Sequence, residues 1–352
     1  MGISVCLIVK NEEKVLRRCL NCVIAFADEI IVVDTGSSDR TVEIAKNYTN
    51  KIYYFAWIDD FAAARNFSFS KATEDYAMWI DADDFIPPKE IEKIKSLKTK
   101  LTADVYMLKY AVSFDRKGDA VTSFYRERIL KRSKYPLWQG FIHESVPPFG
   151  KIEYVDVTIE HRKEGVSDPK RNLNIYEKRI KAGELLTARD KYYYAKELYY
   201  NGLYERSADE LIAYLKMPNK FEPNLSDAYL TIGRCFRELG DNKKALDYLF
   251  ESLKEIDPSS EILCEIGNVF TDSQNYNRAI VFYESATVIN EPDITSGVFY
   301  DRNYYYLFPY VQLTAIYYKV GDYEKSKKYH FLAKADDPAH PSVLFNAQFF
   351  EK

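Results

Sequence analysis

The stretch Trp79-Ile80-Asp81-Ala82-Asp83-Asp84-Phe85-Ile86 decides the interpretation of the N-terminal half, because an apolar strand there ends in three carboxylates within four residues. In folds that alternate strands and helices, ligands bind at the carboxyl ends of the strands. Carboxylates this close repel one another, so a cation is expected between them. Mg²⁺ and Mn²⁺ prefer oxygen ligands and bridge carboxylates to diphosphates. The alternative is an acidic turn that simply follows a strand.

Strand and helix patterns alternate around this stretch, from residue 1 to about residue 165. Continuous apolar runs are typical of buried parallel strands, and four such runs occur, at 3–9, 29–33, 52–55 and 76–80. Their alternation with helices implies right-handed crossovers and a mostly parallel sheet. Later β-type segments predict an added mixed sheet at one end of the fold, at 104–112, 124–131 and 152–160.

From about residue 168 the strand signal disappears and a helical unit recurs. Small anchor residues follow one another at spacings of 37, 34 and 47, namely Ala208, Ala245, Ala279 and Ser326. A small or polar residue lies twelve positions before each anchor, and an aromatic residue lies nine positions before it. The 34-residue spacing and this pattern resemble the tetratricopeptide repeat, in which helical hairpins stack because none can bury its own face alone. The longest spacing indicates an insertion at 291–306.

Such arrays form a concave surface for a peptide or a protein, and a dimerising or stabilising role is the alternative. The aromatic run Tyr304-Tyr305-Tyr306 fits recognition and packing equally well. We expect an α/β domain over 1–165, a connecting helical segment over 166–190 and an all-α repeat domain over 191–352. A homodimer formed through the repeats stays open.

Composition restricts the function classes. The net charge of −4 and the pI of about 5.8 argue against nucleic acid as a partner, because nucleic acids select basic surfaces. We expect no transmembrane segment, since no apolar run approaches the ~20 residues that span a membrane, and no signal peptide, since the start lacks a basic segment. Five scattered cysteines do not form a disulfide framework. These features together predict a cytoplasmic protein.

Short motifs in the N-terminal half resemble those of family 2 glycosyltransferases, which have the nucleotide-sugar-binding type A fold. They occur in the family's order, at 4–12, 34–41, 64–66, 81–84, 138–144 and 159–161. The resemblance covers nearly all of residues 1–165. The whole architecture is also similar to bacterial proteins that join this domain to tetratricopeptide repeats and include peptide S-glycosyltransferases.

The resemblance implies a site for a UDP-sugar. Asp34 would accept the N–H of the uracil ring, with a turn cap as the alternative, and Arg65 would lie beside the base unless it pairs with Asp59 or Asp60. Asp81 would hold the ribose or a metal-bound water. The implied nucleotide-sugar-binding residues are Val9, Asn11, Glu12, Asp34, Arg65, Asp81, Ala82 and Asp83.

The resemblance also implies a divalent cation, Mn²⁺ or Mg²⁺, bound by Asp83 and by His161 at the end of a predicted strand. Alternate residues of an extended strand point to opposite faces. Asp81 and Asp83 would therefore share one side if the strand continued, and Asp84 would face elsewhere.

On the acceptor side, the resemblance places Glu144 where it could act as general base, since a carboxylate can remove a proton from an attacking hydroxyl or thiol. Base-assisted direct displacement inverts the anomeric carbon. The alternative is that His143 and Glu144 only shape their loop. Arg128, Trp138 and His143 are candidates for contacts to the diphosphate or the acceptor.

The leading hypothesis is an inverting, metal-dependent transferase that moves glucose or N-acetylglucosamine from a UDP-sugar to a peptide or protein side chain. A cell-envelope saccharide or lipid is the alternative acceptor. A second hypothesis is a non-catalytic peptide-binding scaffold with a degenerate transferase domain. A nucleotidylyltransferase is disfavoured, because the loop Lys10-Asn11-Glu12-Glu13 lacks the glycines that hold a nucleoside triphosphate.

Overall fold

The computed structural model describes residues 1–114, 118, 120–134, 136–165 and 168–351. The chain divides into two compact units, Met1–Arg171 and Asn172–Lys352. The expected boundary of the first domain follows residue 165, and the next two residues, 166 and 167, lie outside the described residues. Over the described ranges, no helix combines the length and the apolar character needed to cross a membrane.

The first unit is built on one mixed sheet. Its described strands are β1 Ile3–Val9, β2 Glu29–Asp34, β3 Ile52–Tyr54, β4 Tyr76–Trp79, β5 Asp84–Phe85, β6 Val105–Phe114, β7 Ala120–Lys131 and β8 Ile152–His161. Their order in the sheet is β3-β2-β1-β4-β7-β6-β8-β5. Its helices are α1 Leu16–Val23, α2 Thr41–Ala45, α3 Phe61–Phe69 and α4 Pro88–Lys98.

The register of the sheet fixes where the strand ends meet. β1 pairs in parallel with both β2 and β4, and β2 pairs in parallel with β3. Val9 and Asp34, the last residues of β1 and β2, lie opposite each other. β7 and then β6 and β8 extend the sheet beyond β4, and β6 runs parallel to β8. The predicted mostly parallel mixed sheet is confirmed. The expectation of an added sheet is wrong, because β6, β7 and β8 continue the same sheet beyond β4.

Both faces of the sheet are covered because the first two strands are apolar on both sides. Leu7 of β1 packs with Leu16 and Leu20 of α1 on one face. Cys6 of β1 and Trp79 of β4 lie in the cluster on the other face. With α1 covering one face, the carboxyl ends of β1, β2 and β4 remain at one edge of the sheet, which is where ligands bind in such folds.

The second unit consists of helices that pair as antiparallel hairpins, α6 with α7, α8 with α9, α10 with α11 and α12 with α13. The helices from the unit boundary onward are α5 Arg171–Lys181, α6 Ala188–Tyr200, α7 Tyr204–Leu215, α8 Asn224–Glu238, α9 Asn242–Glu255, α10 Ser260–Asp272, α11 Tyr276–Ala286, α12 Leu307–Lys319, α13 Tyr323–Asp336 and α14 Pro341–Phe350. The predicted all-α repeat architecture is confirmed.

The turns of the helical hairpins share one backbone conformation. A residue with positive φ ends the first helix of each pair, at Gly202, Gly240, Gln274 and Gly321. In the last three hairpins the next residue caps the second helix, because Asp241, Asn275 and Asp322 each accept a hydrogen bond from a backbone N–H three residues later. The anchor residues of the repeat are all buried.

Gly267 shows why the repeat needs a small residue on its first helix. A Cβ atom there would lie 2.7 Å from Cε1 of Tyr283. Tyr283 is fully buried, and its hydroxyl donates to Oδ1 of Asn268 at 2.7 Å, so the ring has little freedom to move. The close approach of α10 and α11 therefore depends on this glycine.

We expect Gly267→Ala to lower the free energy of unfolding by about 1–3 kcal/mol, the usual cost of overpacking a core. The helix propensity of alanine, worth about 1 kcal/mol over glycine, works against this loss. Urea denaturation measures the difference, with Lys243→Ala on the exposed face of α9 as the control. A variant as stable as the wild type would show that α10 and α11 can separate without cost.

Candidate active site

Asp34 lies at the carboxyl end of β2 and is almost completely buried. Its carboxylate accepts the backbone N–H groups of Gly36 and Ser37, each at 3.1 Å. Gly36 has a φ of 106°, which favours glycine at this turn. The structure thus gives Asp34 the turn-capping contacts that were the alternative to a uracil contact. Val9, on the neighbouring strand, is buried and accepts the backbone N–H of Thr35 at 2.9 Å.

The loop after β1 is tied to the loop after β2. Asn11 adopts a φ of 57°, and its Oδ1 accepts the backbone N–H of Ser38 at 2.8 Å. The backbone N–H of Glu12 donates to Oγ1 of Thr41 at 2.7 Å. These bonds place Glu12 close to the acidic run. Burial, followed by the charges of Asp83 and Asp81, raises the pKa of Glu12 to about 7.

Arg65 joins two of the predicted site residues. Its Nη2 donates to Oδ1 of Asp81 at 2.8 Å, and its Nε donates to Oε1 of Glu144 at 2.5 Å. All three side chains are at least two thirds buried. Asp60 instead caps α3 by accepting the backbone N–H of Ala63. The alternative pairing of Arg65 with Asp59 or Asp60 is therefore wrong.

Two tryptophans surround this guanidinium. The Arg65 Cζ lies 4.7 Å from the ring centroid of Trp79 and 4.9 Å from that of Trp138. Trp138 is buried and packs edge-on against Trp79. The structure thus places Trp138 as packing for Arg65. Burial opposes the charge on Asp81, but Arg65, helped by Arg128, outweighs it and holds the pKa of Asp81 below its ordinary value.

The acidic run turns where an extended strand was assumed. The backbone N–H of Asp84 donates to the carbonyl of Asp81 at 3.0 Å. This turn sends Asp81 toward Arg65 and leads into β5, which pairs with β8 so that Asp84 lies opposite His161. The expectation that Asp84 faces elsewhere is therefore wrong. Ala82, which lies between Asp81 and Asp83, is buried in the core.

Asp83, Asp84 and His161 form the cluster in the described structure that could hold a metal ion. One ligand atom from each lies within 4.8 Å of the others. The Nδ1 of His161 lies 3.4 Å from Oδ1 of Asp83 and 3.5 Å from Oδ1 of Asp84. The two carboxylates supply the oxygen ligands that Mn²⁺ and Mg²⁺ prefer, and the imidazole adds a nitrogen ligand of the kind that transition metals accept.

Asp84 has its own counter-charge beneath the cluster. Arg128 is fully buried and donates from Nη1 to Oδ2 of Asp84 at 3.0 Å. The Tyr110 hydroxyl lies 2.9 Å from Oδ1 of Asp84 and 2.8 Å from Nδ1 of His161. Arg128 is thus turned away from solvent and supports Asp84, so this structure does not place it for a diphosphate contact. Tyr110 was missed because nothing distinguishes it from other inward-facing residues of a strand.

The charges of this cluster favour a cation. Burial, reinforced by the charges of Asp81 and Asp84, raises the pKa of Asp83, although His161 opposes the shift. A hydrogen bond to Asp84 and the charge of Asp83 raise the pKa of His161. Arg128 already balances the charge of Asp84, whereas the carboxylate of Asp83 has only His161 beside it. The residues present therefore fit a divalent cation.

We expect Asp84→Asn to lower the free energy of unfolding by about 3–5 kcal/mol, because it removes one partner of a buried ion pair and leaves Arg128 charged in the core. Asp156→Asn is the matched control, since Asp156 is 74% exposed and pairs with Lys93 and Lys109 on the surface. That change should cost about 0–1 kcal/mol. Equal urea midpoints for the two variants would contradict this account of Asp84.

The loop that carries His143 and Glu144 is closed by two backbone hydrogen bonds. Gln139 and Ser145 exchange N–H···O bonds of 2.9 and 3.1 Å. His143 lies at its tip with a φ of 51°. Arg126 donates to the Glu144 carbonyl at 3.1 Å and fixes the backbone there. The loop thus presents the Glu144 carboxylate to Arg65. This contact helps to fix the conformation of the loop, and it is compatible with Glu144 as a general base.

Arg18 holds the segment that follows His161. It donates from Nη2 to the carbonyls of Asp83, at 3.3 Å, and of Arg162. Its Nη1 pairs with Glu164 at 2.6 Å. Arg18 therefore connects the acidic turn to the end of β8. Arg18 lies in α1, and no motif of the sequence distinguishes it from the other basic residues there.

Parts of the chain are similar in sequence to known proteins. The profile of the family "Glycosyl transferase family 2" matches residues 4–150. A TPR repeat-containing protein of Synechococcus elongatus is 46% identical over 82 residues, which are 23% of this chain and 20% of the relative. The SPbeta prophage-derived glycosyltransferase SunS of Bacillus subtilis is 40% identical over 90 residues, which are 25% of this chain and 21% of SunS.

Among solved structures, S. aureus TarS 1–349 in complex with UDP-GlcNAc aligns with 72% of this chain and 92% of its own, at 16% identity and a TM-score of 0.37. The matches with the two sequence relatives span about a fifth of each relative's length. The family match covers the sheet from β1 to β7, Arg65, the acidic turn and the Glu144 loop, and it ends before β8 and His161. Residues 4–150 of this chain are therefore a family 2 glycosyltransferase domain.

Proposed function

We propose that the chain transfers a sugar, glucose or N-acetylglucosamine, from a UDP-sugar to a nucleophilic side chain of a peptide or protein, with inversion at the anomeric carbon. The observation that carries the proposal is the Arg65 guanidinium, which bonds to both Asp81 and Glu144. It couples a carboxylate of the acidic turn, on the donor side, to the candidate base.

On the donor side, Asp83 and His161 are the residues that would hold a divalent cation, Mn²⁺ or Mg²⁺, beside the acidic turn. When bound, such a cation neutralises the donor diphosphate and the charge that develops on the leaving group. Arg128 and Tyr110 orient Asp84, and Asp84 orients His161. The uridine would lie along Asn11, Glu12 and Asp34, where the loops after β1 and β2 are joined by hydrogen bonds.

On the acceptor side, Glu144 would accept the proton of an attacking hydroxyl or thiol. The oxygen or sulfur then bonds to the anomeric carbon from the side opposite the diphosphate. The bond from that carbon to the diphosphate oxygen breaks, and its electron pair leaves with UDP. Arg65 holds the Glu144 carboxylate in one orientation through Oε1. One displacement of this kind inverts the configuration.

The helical hairpins of the second unit favour a peptide or protein acceptor, because stacked hairpins present extended binding surfaces. A cell-envelope saccharide or lipid acceptor is the second candidate, since the fold alone does not fix the acceptor. A scaffold without activity is the remaining alternative.

An acceptor screen tests the proposal. The purified chain with Mn²⁺ is incubated with UDP-glucose, UDP-N-acetylglucosamine or UDP-galactose. The acceptor is a peptide library that contains Ser, Thr or Cys or, in parallel reactions, a cell-envelope saccharide or lipid. We expect UDP release together with a mass increase of one sugar on a peptide. UDP release that requires a saccharide or lipid acceptor would support the second candidate instead of a peptide or protein acceptor. Absence of UDP release with every donor and acceptor would favour the scaffold.

A further inference from the structure

A cavity of about 600 Å³ lies in the second unit, and its lining contains none of the residues assigned above. Helices α6, α8 and α10 form one side of it. The segment that links α11 to α12, at 287–306, forms the other side. This segment contains the insertion that the longest repeat spacing indicates. One wall of the pocket is therefore made by residues that the shorter repeat units do not have.

The 287–306 segment is fixed against the helices by hydrogen bonds. The Tyr304 carbonyl accepts from the Ser260 hydroxyl of α10, and the Tyr304 hydroxyl accepts from Nη2 of Arg234 on α8 at 3.0 Å. The backbone N–H of Asp301 donates to Oε1 of Glu261 at 3.1 Å. The segment is therefore an ordered wall of the cavity. Contacts with the helices explain the position of Tyr304.

The charges around the pocket are unequal. Two cations line it, and each already has a carboxylate partner: Lys196 with Asp227 at 2.8 Å, and Arg234 with Glu265 at 3.5 Å. Six carboxylates line it, namely Glu222, Asp227, Asp257, Glu261, Asp293 and Asp301.

Three of these carboxylates lie at the exposed rim, on Glu222, Asp257 and Asp293. In the described part of the chain none of the three has a lysine or arginine partner. The backbone N–H of Thr295, with its side chain, lowers the pKa of Asp293, so this group is charged at neutral pH. The rim is therefore a cluster of negative charge without a counter-charge from the chain itself.

Aromatic side chains complete the lining. Tyr200 is 67% exposed and Phe299 is 53% exposed, and both line the cavity with Tyr199 and Tyr300. Aromatic rings attract ammonium and guanidinium groups by about 0.5–2 kcal/mol, depending on how far water is excluded. Carboxylates add charge-assisted hydrogen bonds to the same groups. The Lys196 ammonium of the chain itself already lies 5.4 Å from the ring centroid of Tyr200 and 5.8 Å from that of Tyr199. The rings thus suit a cationic side chain and its aliphatic stem, and the rim carboxylates select the positive charge.

We propose that this pocket binds a lysine or arginine side chain of a peptide segment. The aliphatic part of that side chain would lie along Tyr200 and Phe299, and its cationic end would meet the rim carboxylates. That the peptide is the sugar acceptor rests on the proposed function. The binding itself does not, and it is measured without any transfer.

Fluorescence anisotropy tests the binding. The probe is a labelled peptide of Gly and Ser with spaced Lys residues, and the matched probe has Gln in place of Lys. The double variant Asp257→Asn plus Asp293→Asn removes two rim charges, and asparagine at 293 can still accept the Thr295 N–H that Asp293 accepts at 2.8 Å. The control double variant, Asp209→Asn plus Glu324→Gln, removes the same charge from exposed positions of α7 and α13.

We expect the Lys probe to bind the wild type and the control at least ~10-fold more tightly than it binds the rim variant, which corresponds to about 1.4 kcal/mol. Tyr200→Ala should weaken binding as well. Equal binding of the Lys and Gln probes, equal loss in the rim and control variants, or no binding of the Lys probe at physiological salt would each overturn the proposal. Binding of the Lys probe by a chain that transfers no sugar would leave the pocket in place and refute only the proposed function.

Discussion

Glu144→Gln should reduce the rate of sugar transfer by at least ~10²-fold, the usual contribution of a general base. Glutamine keeps the shape of the side chain, and its amide oxygen can still accept from Nε of Arg65, so the loop should keep its conformation. It cannot take a proton from the nucleophile. UDP binding should be unchanged, since Glu144 reaches the acidic turn only through Arg65.

Single-turnover transfer and calorimetric UDP binding separate the two effects. Glu43→Gln is the control, because Glu43 is exposed on α2 and makes no side-chain hydrogen bond in the described structure. Wild-type transfer by Glu144→Gln would show that another group is the base. A loss of UDP binding in parallel with transfer would show that Glu144 shapes the donor site instead.

Arg65→Lys should also lower the rate of transfer by ~10²-fold, the size of effect that small displacements of reacting groups produce. The planar guanidinium bonds to Asp81 and Glu144 from two different nitrogens. An ammonium is a point charge and cannot reproduce that fork. Arg65→Gln should in addition lower the free energy of unfolding by about 3–5 kcal/mol, because two buried carboxylates lose their partner.

Steady-state kinetics distinguish positioning from folding in the Arg65 variants. Arg65→Lys should keep a near-native unfolding midpoint while kcat falls. Arg40→Lys is the control, since Arg40 pairs with Glu13 at the surface. A kcat equal to that of the wild type in Arg65→Lys would refute the bridging role.

Much of this fold could be predicted from sequence, because its strands are apolar on both sides and leave a continuous signal. The repeats could be predicted because the positions at which two helices approach closely require small residues, such as Gly267 and Ala279. Both features depend on local spacing, which a single sequence displays.

The site could be predicted only in part. The residues at the strand ends could be identified from the sequence. The expected direction of Asp84 depended on the alternation of side chains along an extended strand, and the turn at residues 81–84 interrupts that alternation. Arg128 and Tyr110 contact Asp84 across strands that are far apart in sequence. Such contacts carry no local signal, and the pocket beside the 287–306 segment was missed for the same reason.

The central claim is that the edge of the sheet beside the acidic turn is a cation-dependent UDP site. Calorimetric titration of UDP into the full chain, with and without Mn²⁺, tests it most directly when Asp83→Ala is measured beside the wild type. The account predicts that binding to the wild type requires Mn²⁺ and that Asp83→Ala loses it. UDP binding that is independent of Mn²⁺ or unchanged in Asp83→Ala would contradict the claim, as would the absence of binding to the wild type under both conditions.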